Sequence, residues 1–182
     1  MAFSRRTFLK IGAASACVLV AARVLDREVF AAADTRGSLD LKKLSNKDAA
    51  CIAALAAAVL KGALPDDAAA RLVAINEVVE AFDRTVAGLS TAVQTEVDEL
   101  LSLLTFSVTR RFVAGVSKPW DQASEQDVSN FLDAWRHSRF VLLQQGYQAL
   151  ARVIVACWYG NPLSWGTIGY SGPPFGKELG LL

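Results

Sequence analysis

"SNKDAACIAALAAAVLKGALP", residues 45 to 65, decides the fold class. Ser45 carries an oxygen that can cap a helix. Asp48, three residues on, puts a negative charge in the first turn, where the helix dipole favours it. Ile52, Leu55, Val59 and Leu60 then follow at helical spacing in an alanine-rich background. Gly62 and Pro65 stop the helix.

Downstream the same grammar repeats. Asp66 and Asp67 open a second helix with Leu72, Ile75, Val79, Phe82 and Val86 as its stripe, and Gly88 ends it. Ser90 or Thr91 opens a third helix, and Thr91-Ala92-Val93-Gln94 fits a capping box. Val93, Val97, Leu100, Leu101, Leu104 and Val108 are the expected apolar face of that third helix. Residues 115–121, with Pro119, read as a loop. Ser124 to Asp127 resembles another capped start, with Asp where a capping box usually has Glu or Gln. Periodicity runs on through Trp135, Phe140, Leu143, Tyr147, Leu150, Ile154 and Cys157. Helices beyond about 25 residues are uncommon in globular domains, so two helices are expected here. No stretch alternates with hairpin turns. The expected fold is all-α, a small antiparallel helical bundle with short connections and a long irregular C-terminal tail.

Upstream, residues 34–44 are polar and aperiodic, and read as an extended arm. Before them lies "SRRTFLK", residues 4–10, in which Arg5, Arg6, Phe8 and Leu9 resemble a bacterial twin-arginine export signal. Twelve uncharged residues follow, 11–22, too few for the roughly 20 that span a bilayer. Ala31-Ala32-Ala33 fits a signal-peptidase site, so residues 1–33 are expected to be a leader cleaved before Asp34. The competing reading, an uncleaved anchor, is opposed by Arg23, Asp26, Arg27 and Glu28 beside so short a run.

Of 19 Lys and Arg, five lie in the leader; of 18 Asp and Glu, two do, which leaves a net charge of −2. A near-neutral domain without a basic stripe gives no reason to propose nucleic acid as a partner. The 149 remaining residues make one helical domain, residues 34–158, followed by the tail, residues 159–182.

That tail, "YGNPLSWGTIGYSGPPFGKELGLL", holds six of the twelve glycines and three of the five prolines. Such a composition excludes a regular helix. Yet it also carries Tyr159, Leu163, Trp165, Ile168, Tyr170 and Phe175, which want a surface to lie on, either the chain's own bundle or another chain.

Groups for catalysis are scarce. His137 is the only histidine, set between Arg136 and Arg139, whose charges disfavour its protonation. No G-x-S-x-G, C-x-x-C, H-E-x-x-H or C-x-x-C-H motif is present. No catalytic, cofactor-binding or metal-ligating residue is therefore expected in this chain. Glu77, Glu80 and Asp83 lie three apart on one helix face. They read as a solvated acidic face sooner than as a cation site. Arg110-Arg111 reads as a basic C-terminal turn that suits the helix dipole sooner than as an anion site. Cys51 and Cys157 pair, stay free or bond a partner; Cys51, in the alanine-rich helix, reads as a buried small hydrophobe.

With these features in place, the chain resembles the small subunit of bacterial flavin dehydrogenases that oxidise gluconate, sorbitol, fructose or glucose. The most specific stretch is "CWYGNPLSWGTIGYSGPP", residues 157–174, preceded by "FLDAWRHSRF", residues 131–140. The resemblance implies a non-catalytic subunit that binds a large flavin-bearing subunit of the glucose–methanol–choline type. It implies FAD on that partner and none here. It further implies joint twin-arginine export to the periplasm, at the inner membrane, in company that often includes a multihaem cytochrome c.

Trp158, Tyr159, Pro162, Trp165, Gly169, Tyr170, Gly172, Pro173 and Pro174 match the motif and are the expected partner interface. Because Cys157 directly precedes it, an inter-subunit disulfide is the further expectation there. Competing classes are a self-sufficient periplasmic enzyme or redox protein, and a stand-alone periplasmic helical binding protein or chaperone.

Overall fold

A computed structural model describes residues 39–173. The leader residues Arg5, Arg6, Phe8 and Leu9 lie outside them, as does Pro174. The described chain is an all-α helical bundle. Its helices are α1 (Asn46–Val59), α2 (Ala68–Ala87), α3 (Thr91–Thr105), the single turn α4 (Ser107–Thr109), α5 (Glu125–Arg136), α6 (Val141–Tyr159) and the short α7 (Pro162–Trp165). A π-helical turn, Arg110–Ala114, follows α4, and a 3₁₀ turn, Gly166–Ile168, follows α7.

Helix α1 is the centre. It packs against α2, α3, α5 and α6. Cys51, Ile52, Leu55 and Ala56 are all 0% exposed. A helix apolar on every side belongs in a core, and its alanines let four neighbours approach closely. Ser45 and Asp48 form a complete capping box, as do Ser124 and Asp127 at the start of α5. Aspartate, one methylene shorter than glutamate, reaches in both. Gly62 adopts φ 83° just past α1, a conformation side chains resist.

The single periodic run after Ser124 is two helices, as expected. His137 closes α5 at φ −102°, ψ 14°, and Phe140 is extended before α6.

Four expectations need correction. The Thr91–Gln94 capping box does not form. Ser90 is the N-cap, and the Gln94 amide donates instead to the carbonyls of Ala87 and Leu89. Helix α3 ends at Thr105, because Phe106 turns extended at ψ 131°. Thr105 and Thr109 hydroxyls donate to local carbonyls there, an option such side chains offer against a continuous helix. Val108 thus leaves the α3 face and is 51% exposed. On α2 the buried stripe runs through Ala74, Val78, Val79, Phe82 and Val86, and Leu72 points outward at 57% exposure. Arg110 does not end a regular helix: it opens the π turn, is buried, and donates from Nε to the Val116 carbonyl.

The acidic face of α2 is a further correction. Asp83 is 1% exposed. Its carboxylate accepts the backbone N–H groups of Lys42, Lys43 and Leu44, each at 2.8 Å. The segment before α1 is thus clamped to α2, and Leu44 enters the core. Burial alone would raise the Asp83 pKa, but the three N–H donors and the nearby Lys42 charge outweigh it and hold it below the ordinary value. Glu80 instead faces Arg84 at 3.6 Å.

A ladder of rings braces the other side. Trp120 meets Phe131 edge-on at 5.6 Å, and Phe131 meets Trp135 at 4.8 Å. Trp120 donates to the Leu104 carbonyl and Trp135 to that of Val113. Helix α6 closes on this ladder at Gly146, where an added Cβ would lie 2.9 Å from Trp135.

Two stability predictions follow from these contacts. Asp83→Asn keeps one acceptor oxygen but sets an amide N–H₂ against a backbone N–H, and should cost about 2–3 kcal/mol at neutral pH. A lowered carboxylate pKa stabilises above the unfolded value, about 3.9, and that contribution vanishes as pH falls through the folded value. The wild-type advantage over Asp83→Asn in urea melts should therefore shrink below about pH 4. Gly146→Ala should destabilise by about 1–2 kcal/mol despite alanine's better helix propensity, because Trp135 is buried, packed on Phe131 and tied by its indole to the Val113 carbonyl, and has little room to yield. An unchanged urea midpoint would refute that packing.

Candidate partner interface

His137 is exposed at the end of α5, its Nδ1 3.0 Å from the Asp133 carbonyl oxygen. Glu77 accepts from the Asn161 side chain at 3.2 Å. Among the described residues no group of three or more His, Cys, Asp and Glu is placed to hold a metal ion, and no helix is long and apolar enough to cross a membrane.

Both described cysteines are free and buried. Burial pushes the Cys51 thiol well above its ordinary pKa; the Asp48 charge adds to this, and Arg110 offsets only part of it. Burial also raises Cys157, with the Thr85 hydroxyl, 3.9 Å from its sulfur, and the Arg84 charge pulling it partly back. Cys157 is 8% exposed on the α2 side of its helix, so a bond to another chain requires that this edge open.

Residues 161–168 of the tail are more regular than its composition implied. Asn161 caps α7 by accepting the Leu163 N–H at 2.9 Å. Pro162 stands at the first helical position, where its missing N–H costs nothing and its fixed φ is already right. The Ser164 hydroxyl donates to the Asn161 carbonyl and Thr167 to that of Ser164. Gly169, at φ 68°, ends the 3₁₀ turn. The Trp165 indole donates back to the Tyr159 carbonyl at 3.0 Å, and its ring meets Tyr170 edge-on at 5.3 Å. The Asn161–Glu77 bond ties the whole turn to α2. A Gly/Pro segment thus becomes two short helical turns with fixed side chains.

This geometry divides the expected interface. Trp158 is 1% exposed and lies in the core, so it serves the bundle and not an outer surface. Its indole nitrogen is buried without a hydrogen-bond partner. Trp165 and Pro173 are half-buried, and Gly172 is buried. Tyr159, Pro162, Gly169 and Tyr170 are exposed. Two residues outside the expected set join them: Leu163 at 55% and Ile168 at 53% exposure. Their signal was present in the sequence, as the aliphatic residues between the aromatic ones. What was missing was the helical turn that aims them outward.

Comparison with known proteins finds no match: no family model, curated protein or solved structure is similar to the chain.

In a Cys17→Ser chain, native Cys51 should be silent to a thiol reagent at pH 8. Cys157 should react slowly, at least about tenfold below an unfolded control, since the thiolate is the reacting form. Fast labelling of both sites would contradict the burial described.

Proposed function

We propose that this chain is a non-catalytic accessory subunit of a periplasmic FAD-dependent dehydrogenase acting on a sugar, polyol or sugar acid. In this reading it assembles with the flavin-bearing large subunit, stabilises it, and lends it the twin-arginine leader for joint export. The support from sequence is the likeness of residues 157–174 to the small-subunit motif and of residues 4–10 to the export signal.

The observation that carries the reading is the fixed, exposed turn of residues 159–170. Tyr159, Leu163, Ile168 and Tyr170 are each between 41% and 55% exposed on a turn pinned by Asn161. Apolar groups fixed in place lose little freedom on binding, so a larger share of their burial, about 25 cal/mol per Å², remains as affinity. Rigid aromatic side chains with few rotors are the usual anchors of such contacts. The bond from Cys157 to the partner belongs to the same proposal, and non-reducing electrophoresis of the complex checks it.

The decisive experiment is affinity purification of the full chain from its native cell, followed by a visible spectrum and mass analysis of what accompanies it. A large yellow partner is expected. Replacing Arg5 and Arg6 by lysine should leave both chains in the cytoplasm. A partner that still reaches the periplasm would sink the export role. A colourless, monodisperse monomer would return the choice to a stand-alone binding protein.

A further inference from the structure

Helix α6 turns one face to the core, with Leu150, Ile154, Cys157 and Trp158 buried. Among the described residues nothing covers its opposite face. Val141 is 64% exposed and Tyr159 is 41% exposed. They stand 18 residues apart, which at about 100° per residue is five full turns, so they lie on one line along the helix. Between them Gln148, Arg152 and Val155 fall within about 40° of that line, and all are exposed. The strip is about 27 Å long at 1.5 Å per residue. At its upper end Phe140 is 57% exposed, with the Arg139 guanidinium 5.0 Å over its ring. At its lower end it runs into the exposed tail turn. No Asp or Glu occurs between Asp133 and Glu178, although acids are spread over the rest of the chain.

The geometry points to this outer face of α6 as a single docking strip that continues the tail interface, and to an occupant with an acidic, partly apolar protein surface. The inference rests on the reading above and names the occupant as the large flavin-bearing subunit. Three arguments select it. The strip is apolar at both ends and cationic without any acid, so its electrostatic complement is acidic. Its length and its continuity with the tail suit one broad partner that touches both ends at once. Other occupants fit less well. Lipid headgroups are recognised by clusters of about four to eight cations, whereas the strip offers Arg139 and Arg152. A second copy related by a two-fold axis at the middle of the strip would set Arg152 beside its own equivalent, like charge against like.

The test uses the full chain co-expressed with the flavin-bearing subunit. A photo-crosslinking residue replaces Gln148, in the middle of the strip, or Glu96, exposed on α3, as a control. The large subunit should crosslink at 148 and not at 96. Arg152→Glu should weaken recovery of the flavin-bearing subunit at least about tenfold, because it sets like charges together. If the wild-type pair forms but either result is absent, the strip is overturned while the accessory-subunit reading stands. A crosslink at 148 to a second copy of this chain also overturns it. If the wild-type chain recovers no flavin-bearing subunit, the reading itself fails and the inference with it.

Discussion

The burial of the middle of α1, from Cys51 to Ala56, is the constraint on which the rest of this fold depends. One helix meets four others, and it meets them through alanine, cysteine and a few branched side chains. From Ala49 to Val59 α1 has no polar side chain to mark an outer face, so its orientation is set at its ends. The Ser45–Asp48 box fixes where it begins, and Gly62 lets the chain leave it sharply. Methyl-sized changes in such a centre are felt by several helices together, because interiors pack at crystal-like density.

Around that centre the neighbours are locked by polar contacts of two kinds. On one side a buried carboxylate collects three backbone donors. On the other, indole N–H groups reach carbonyls that α3 and the π turn leave unpaired. Both kinds satisfy backbone groups that irregular segments would otherwise bury at a cost. The clamp and the ring ladder therefore allow non-helical pieces to sit against the core.

Local chemistry was legible in the sequence wherever it acted locally. Ser45, Ser124 and Gly62 act within one turn, and helices start or stop there. The split between α5 and α6 was expected from length alone, since no breaker marks it in the sequence. Long-range partners were not legible. Nothing near Asp83 distinguishes it from Glu77 or Glu80; its donors come from some 40 residues upstream. The end of α3 at Phe106 was hidden for a related reason. Apolar spacing continues to Val108, but the Thr105 and Thr109 hydroxyls and the docking of Trp120 turn the chain first. In the tail, composition correctly marked an unusual segment and the motif marked candidate contacts. Only packing separated Trp158, which the bundle consumes, from Tyr159 beside it, which the bundle leaves outside.

The Asp83 clamp has a consequence for the order of folding. Its three hydrogen bonds span 39 to 41 residues, so they exist only once α1 and α2 have closed on each other. Residues 42–44 cannot be protected from exchange by any local structure of their own. Their protection reports, just upstream of α1, whether the first helical pair has docked. A domain built this way carries its own sign of completion beside the segment that precedes it.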